Sequence, residues 1–188
     1  MVEDIELLKE EVKEKVSEKR FAHSIGVMNM CEKLAKQYGA DEKKAKLIGI
    51  VHDIAKEMSD EEMLEYVRKN KIAITETEEQ IPQILHGKIA ADMCKKKYDF
   101  DDEMCEAIAY HTTGKENMTL LQKVLFVGDK IDETRTYDSA KELRNIAFQS
   151  LDEAIIKNID ETLKINIERK SLIVEESIKA RNYLLKNS

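Results

Sequence analysis

Between Lys46 and Lys56 the chain reads Lys-Leu-Ile-Gly-Ile-Val-His-Asp-Ile-Ala-Lys, an apolar run interrupted by an imidazole and a carboxylate side by side. A fold that buries this run must also bury Asp53, and an uncompensated buried carboxylate costs several kcal/mol. Asp53 must therefore gain a cationic partner, take up a proton or coordinate a metal. Any fold open to this chain has to bring compensating groups to His52-Asp53 from elsewhere.

The four histidines, His23, His52, His86 and His111, all fall in apolar-periodic segments rather than polar loops. His52 follows Leu47, Ile48 and Val51; His23 has Phe21, Val27 and Met30 nearby; His86 follows Ile84-Leu85 and precedes Ile89; His111 follows Ala107 and Ile108. Asp129 stands three and four residues after Phe126 and Leu125. On helical spacing all of these point toward one interior. Singly, each has a plain reading: a packed core histidine, or an aspartate that caps a helix or pairs with Lys130. Jointly they favour a metal centre, because His and Asp recur as ligands of hydrolytic metal sites.

The fold class expected is all-α, a compact single-domain bundle over residues 1–188. One proline and six glycines accompany abundant Glu, Lys, Leu, Ala and Met, and no strand-like alternation runs any length. Helices are expected near 3–17, 20–38, 41–57, 60–70, 81–98, 101–111, 119–132, 139–148, 150–167 and 174–186. Gly39 suits a helix C-terminus, Asp41 a cap, Ser59-Asp-Glu-Glu62 a capping box and Pro82 a first turn. The polar stretch from Lys69 to Glu79 is expected to be a connecting loop.

A net charge of −7 argues against generic nucleic-acid binding, so a phosphate-rich ligand needs a local cationic patch. Cys31, Cys94 and Cys105 are odd in number and widely spaced, which reads as buried free thiols in a reducing cytoplasm. The acidic start Met-Val-Glu-Asp-Ile-Glu has no apolar leader, and no apolar run reaches membrane-spanning length. Charge clusters such as Glu6 to Lys19 and Lys95-Lys-Lys97 read as solvated helix faces.

The order His23, His52-Asp53, His86, His111, Asp129 resembles the HD superfamily of metal-dependent phosphohydrolases. Arg20-Phe-Ala-His-Ser24, His52-Asp-Ile-Ala-Lys56, His111-Thr-Thr-Gly114 and Val127-Gly-Asp-Lys-Ile-Asp-Glu133 followed by Arg135 resemble one branch of it. That branch is the YqeK-type symmetrical bis(5′-nucleosyl)-tetraphosphatases, and the likeness covers nearly the whole chain. It implies a hydrolase that splits diadenosine tetraphosphate into two ADP through attack of a metal-bound hydroxide on an inner phosphorus. Other nucleotides (an alarmone, a deoxynucleotide, a cyclic dinucleotide) and a non-catalytic nucleotide-binding module are the alternatives. Small-molecule nucleotides are the expected partners, with neither nucleic acid nor membrane, and a second copy of the chain is compatible.

The resemblance implies that His23, His52, Asp53 and Asp129 bind one metal while Asp53, His86 and His111 approach a second, with iron favoured and manganese or zinc compatible. Two metals roughly 3.5–4 Å apart activate a water and clamp phosphoryl oxygens. A carboxylate is the natural bridge, which makes Asp53, with His52, the expected catalytic pair. Arg20, Lys56 and Arg135 are placed to grip phosphate, their plainer reading being surface bases paired with acids. Thr112 adds a hydroxyl, and the closing segment with Ile173 and Ser177 resembles the part that holds the nucleoside. There Val174-Glu175 stands where a His-Pro commonly follows the isoleucine.

Overall fold

Side-chain caps set most helix starts. Asp4, Ser17, Asp41, Ser59, Thr75, Asp101, Thr119 and Ser150 each accept a hydrogen bond from a backbone N–H of the turn that follows. The computed structural model describes residues 4–187, in which the caps delimit α1 (Ile5–Lys15), α2 (Glu18–Tyr38), α3 (Glu42–Val51), α4 (Asp60–Lys69) and α5 (Glu76–Gln80). A 3₁₀ turn (Pro82–Leu85) leads into α6 (His86–Tyr98), followed by α7 (Asp102–Tyr110), α8 (Leu120–Ile131), α9 (Asp138–Ala147), α10 (Leu151–Glu168) and α11 (Glu175–Asn187). The described residues contain no strand, as the all-α expectation required. No helix among them is long and apolar enough to cross a membrane.

The long helix α2 packs along α3 and α8, α7 joins α6 to α8, and α10 lies against α8, α9 and α11. Leu34, Ile48, Ile108 and Phe126 are almost wholly buried where these helices meet, each burial stabilising the bundle by roughly 1.5–3 kcal/mol. Two glycines permit the closest approaches. A Cβ on Gly49 would stand 2.8 Å from the Met28 Cα, and one on Gly87 would stand 2.9 Å from the carbonyl oxygens of both Ile108 and Ala109. Backbone atoms cannot swing aside as a flexible side chain would, so α3 lies flush on α2 and the start of α6 on the end of α7.

Several expectations need correction. The helix expected over 41–57 stops at Val51, and residues 52–57 continue as turns, so His52-Asp53 sits at a helix end. The supposed loop from Lys69 to Glu79 contains α5, started by a capping box between Thr75 and Glu78. Pro82 opens a separate 3₁₀ turn, so α6 begins at His86 itself. Cys31 and Cys94 are buried free thiols, but Cys105 is only partly buried, at the edge of the core. The first residue expected in α1, Glu3, lies outside the described residues.

Gly87→Ala should test the α6–α7 approach. Overpacking against backbone costs about 1–3 kcal/mol, against the ~1 kcal/mol that alanine gains in helix propensity. A lowered denaturant midpoint at unchanged m-value is expected; an unchanged midpoint would mean that the helices part freely.

Candidate metal centre

Three of the four histidines owe their orientation to one local device. His52 Nδ1 lies 2.8 Å from the Gly49 carbonyl, His86 Nδ1 2.6 Å from the Gln83 carbonyl and His111 Nδ1 2.7 Å from the Ile108 carbonyl. Each acceptor is three residues earlier, in the closing turn of α3, of the 3₁₀ segment or of α7, where backbone carbonyls lack helical N–H partners. A carbonyl has no proton to give, so Nδ1–H must donate and the neutral ring presents a bare Nε2. The bond that closes each turn thereby selects the tautomer.

These Nε2 atoms converge on Asp53, which is 3% exposed. Its Oδ1 lies 3.2 Å from His86 Nε2 and 3.4 Å from His111 Nε2. Its Oδ2 lies 3.5 Å from His52 Nε2, 3.8 Å from His23 Nε2 and 2.8 Å from Arg20 Nη1. Asp129 Oδ1 completes the second side, 3.0 Å from His23 Nε2 and 3.7 Å from His52 Nε2. Two ligand-capable groups result, His23–His52–Asp129 and His52–Asp53–His111, each with its donor atoms within 4.8 Å of one another. All six expected ligand side chains are brought together, and all come from one chain.

The donors fit metal ions better than they fit each other. His52 Nε2 is buried without a hydrogen-bond partner, although carboxylate oxygens are close. His86 Nε2 and His111 Nε2 face each other at 3.1 Å. With both Nδ1 atoms protonated, no proton stands between those lone pairs. The Thr112 hydroxyl, 3.3 Å and 3.2 Å from the two nitrogens, has one proton to offer. A cation answers the arrangement that hydrogen bonds leave unmet.

Charge follows the same geometry. Burial pushes the His111 imidazolium down to about 4, so the ring is neutral at physiological pH and free to ligate. Burial also opposes charge on His23, but hydrogen bonds to Asp129 and Asp132 overcome it and raise its pKa to about 9. Burial opposes ionisation of Asp53 and Asp129 too, yet both stay well below the usual carboxylate range: the surrounding imidazoles, His52 foremost, favour the Asp53 carboxylate, and Lys130 and His23 that of Asp129.

The expected cations stand at the rim. Arg20 reaches Asp53, and Lys56 Nζ lies 3.3 Å from His86 Nδ1, with burial holding its ammonium below the ordinary value. Arg135 Nη2 reaches Asp129 Oδ1 at 3.3 Å. The pairing of Asp129 with Lys130 also forms, through Oδ2 at 2.7 Å, leaving Oδ1 for the histidines. Two residues escaped the sequence reading. Asp132, fully buried, lies 3.2 Å from His23 Nδ1 and also accepts from Thr134 and Arg135. Arg144 then caps the Ile131 and Asp132 carbonyls beneath it. The signal available for Asp132 was its place one turn beyond Asp129.

On the Asp53 Oδ1 side opens a small cleft of about 100 Å³, lined by Thr112, Thr113, Phe126, Ile173 and Ser177. Ser177 Oγ donates to the Thr113 carbonyl at 2.8 Å, tying α11 to the turn that carries His111.

Six converging His and Asp side chains in an all-helical bundle define a metal-site hydrolase scaffold, and comparison with known proteins places it. The HD domain family profile matches residues 20–134. The chain is 33% identical to the symmetrical bis(5′-nucleosyl)-tetraphosphatase of Bacillus subtilis, covering 94% of this chain and 95% of that one. It is 33% identical to the protein of the same name from Staphylococcus aureus, covering 96% and 94%. A crystal structure described as a predicted HD superfamily hydrolase involved in NAD metabolism, from Clostridium acetobutylicum, superposes with a TM-score of 0.95 at 31% identity, covering 98% of both chains. The protein belongs to the HD family and, within it, to the symmetrical bis(5′-nucleosyl)-tetraphosphatases.

Metal uptake should release a proton. His23⁺ contributes stability to the metal-free protein that is fully present below its ordinary pKa of about 6.5 and is lost as pH rises through about 9. A metal must displace that proton, so apparent affinity should rise roughly tenfold per pH unit up to about pH 9 and then level off. Calorimetric titration in buffers of different ionisation enthalpy counts the protons; none released at pH 7.5 would refute the assignment. Asp132→Ala should weaken metal binding roughly 10–100-fold, with metal content by mass spectrometry as the check.

Proposed function

We propose that the protein hydrolyses diadenosine tetraphosphate at its central anhydride, giving two ADP by attack of water on an inner phosphorus. Asp53 carries the reading: one carboxylate whose two oxygens face two separate sets of imidazoles. The near full-length likeness to proteins named for this reaction supports it.

In this reading His23, His52, Asp129 and Asp53 Oδ2 would hold one metal, and His86, His111 and Asp53 Oδ1 the other. When bound, such metals supply the Lewis acidity that makes water a nucleophile at neutral pH and offsets phosphoryl charge. Iron is the proposed resident metal, on the family resemblance; the mixed imidazole and carboxylate donors also admit manganese or zinc, and neither group includes a cysteine. Three free thiols suit a reducing compartment, and the cytoplasm is the proposed location.

The chain's own groups do the rest. Asp53 and His52 fix the reaction centre. Arg20 shifts from Asp53 toward phosphate oxygens, with Lys56 on the His86 side and Arg135 on the Asp129 side. A guanidinium grips two oxygens at once, which orients the phosphate chain as well as neutralising it. Thr112 donates its hydroxyl to the ligand, and the cleft bounded by Ile173 and Ser177 receives part of one nucleoside, with α10 as its wall and Ser177 of α11 at its edge.

Purified protein loaded with iron or manganese under reducing conditions should convert diadenosine tetraphosphate to ADP alone, resolved by chromatography. AMP with ATP would mean attack at an outer phosphorus, and no product with both metals bound would overturn the proposal. Asp53→Ala should lower kcat/KM roughly a thousandfold or more and lose metal. Arg20→Ala should lower it roughly 10–100-fold with metal retained.

A further inference from the structure

Cleavage of a symmetrical dinucleotide at its centre leaves a nucleoside diphosphate on each side of the scissile bond, and the cleft bounded by Ile173 and Ser177 accounts for one. A second, larger cleft of about 510 Å³ opens on the other side, lined among others by Arg20, His23, Thr134, Arg135 and Tyr137. The two clefts reach the centre from different oxygens of Asp53. Thr112 of the first stands beside His86 and His111 on the Oδ1 side, while Arg20 and His23 of the second stand on the Oδ2 side.

The second cleft has the chemistry that a nucleoside diphosphate requires. Arg20, Arg135 and Lys19 supply positive charge. Its acid, Glu57, is engaged by the backbone N–H and hydroxyl of Ser17 at 2.7 and 2.6 Å. Arg20 Nε is buried with no hydrogen-bond partner, a donor left over after Nη1 has bonded Asp53. Tyr137 presents an aromatic ring at 53% exposure, steadied by Arg135 Nη1 at 3.3 Å from its hydroxyl. An exposed ring beside guanidinium groups is a stacking platform for a base whose phosphates lie toward the metals. The volume is that of a ligand pocket.

We propose that this cleft, between the start of α2 and residues 134–137, is the subsite for the second nucleoside diphosphate, with Tyr137 stacking on its base. The inference rests on the dinucleotide reading above, and its test separates the two. Metal-loaded wild-type protein titrated with ADP in a calorimeter should bind two equivalents per chain. Tyr137→Ala, and Ala22→Trp, which fills the same cleft from α2, should each bind one. Both variants should raise KM for diadenosine tetraphosphate roughly tenfold with kcat little changed.

Wild-type protein that cleaves the dinucleotide yet binds a single ADP, or variants that keep two ADP and an unchanged KM, would overturn the subsite. Two ADP in wild type and one in the variants, without cleavage, would support the subsite while overturning the hydrolysis reading. Retained metal content and an unchanged melting temperature in both variants, where the changes lie at exposed positions, tie any loss to the cleft.

Discussion

One buried carboxylate organises this structure. Asp53 lies at the meeting point of α2, the end of α3, the start of α6, the end of α7 and α8, and each contributes a group to its surroundings. A single cation would have neutralised it with fewer constraints. Arg20 does so on one side, but the imidazoles on both oxygens exceed what one negative charge needs. Their bare nitrogens face inward with too few protons among them, which is costly in a dry interior unless a cation fills the space. Ligand binding and folding therefore draw on the same contacts.

The helix ends make this possible. A mid-helix histidine cannot reach its own backbone without disturbing the ladder, whereas one three residues beyond a closing-turn carbonyl bonds it directly. Gly49, Gln83 and Ile108 provide those carbonyls, and each bond both completes a turn and turns Nε2 inward. His23 lies inside α2 and lacks this device. Its Nδ1 is held by Asp132, itself held by Arg135 and by the Thr134 N–H and stabilised from below by Arg144. The extra network is what a mid-helix ligand needs for the same orientation.

This division explains what could be read from the residues alone. The six metal-capable side chains and the all-helical class were legible, because polar groups in apolar stripes and a near-absence of proline and glycine are local signals. The early end of α3 was not, since Ile54 and Ala55 continue the stripe past His52-Asp53 and no glycine or proline marks the stop. Helix α5 was overlooked although Thr75 and Glu78 have capping-box spacing, because the charged stretch around them gave no core-facing period. Asp132, though inside the quoted Val127–Glu133 motif, was not singled out, and neither were Arg144 and Tyr137. Their work depends on how the chain turns after Ile131, a feature of tertiary packing.

The two sides of Asp53 differ in a way that bears on turnover. The Ile173–Ser177 cleft is mostly apolar and walled by α10, whereas the Arg20–Tyr137 cleft is broader and rimmed by charge. Two identical ADP products would thus leave from unlike environments. Burial holds the first by contact area, and salt does little to loosen it. Part-buried guanidinium groups at the rim hold the second, and the part of their attraction that acts through solvent fades within a Debye length of about 8 Å at physiological ionic strength. In the proposed reaction the product on the Arg20 side departs first, and rising ionic strength speeds that departure while weakening capture of the dinucleotide. A symmetrical substrate is then processed by an asymmetric site, with one half anchored and the other exchanged.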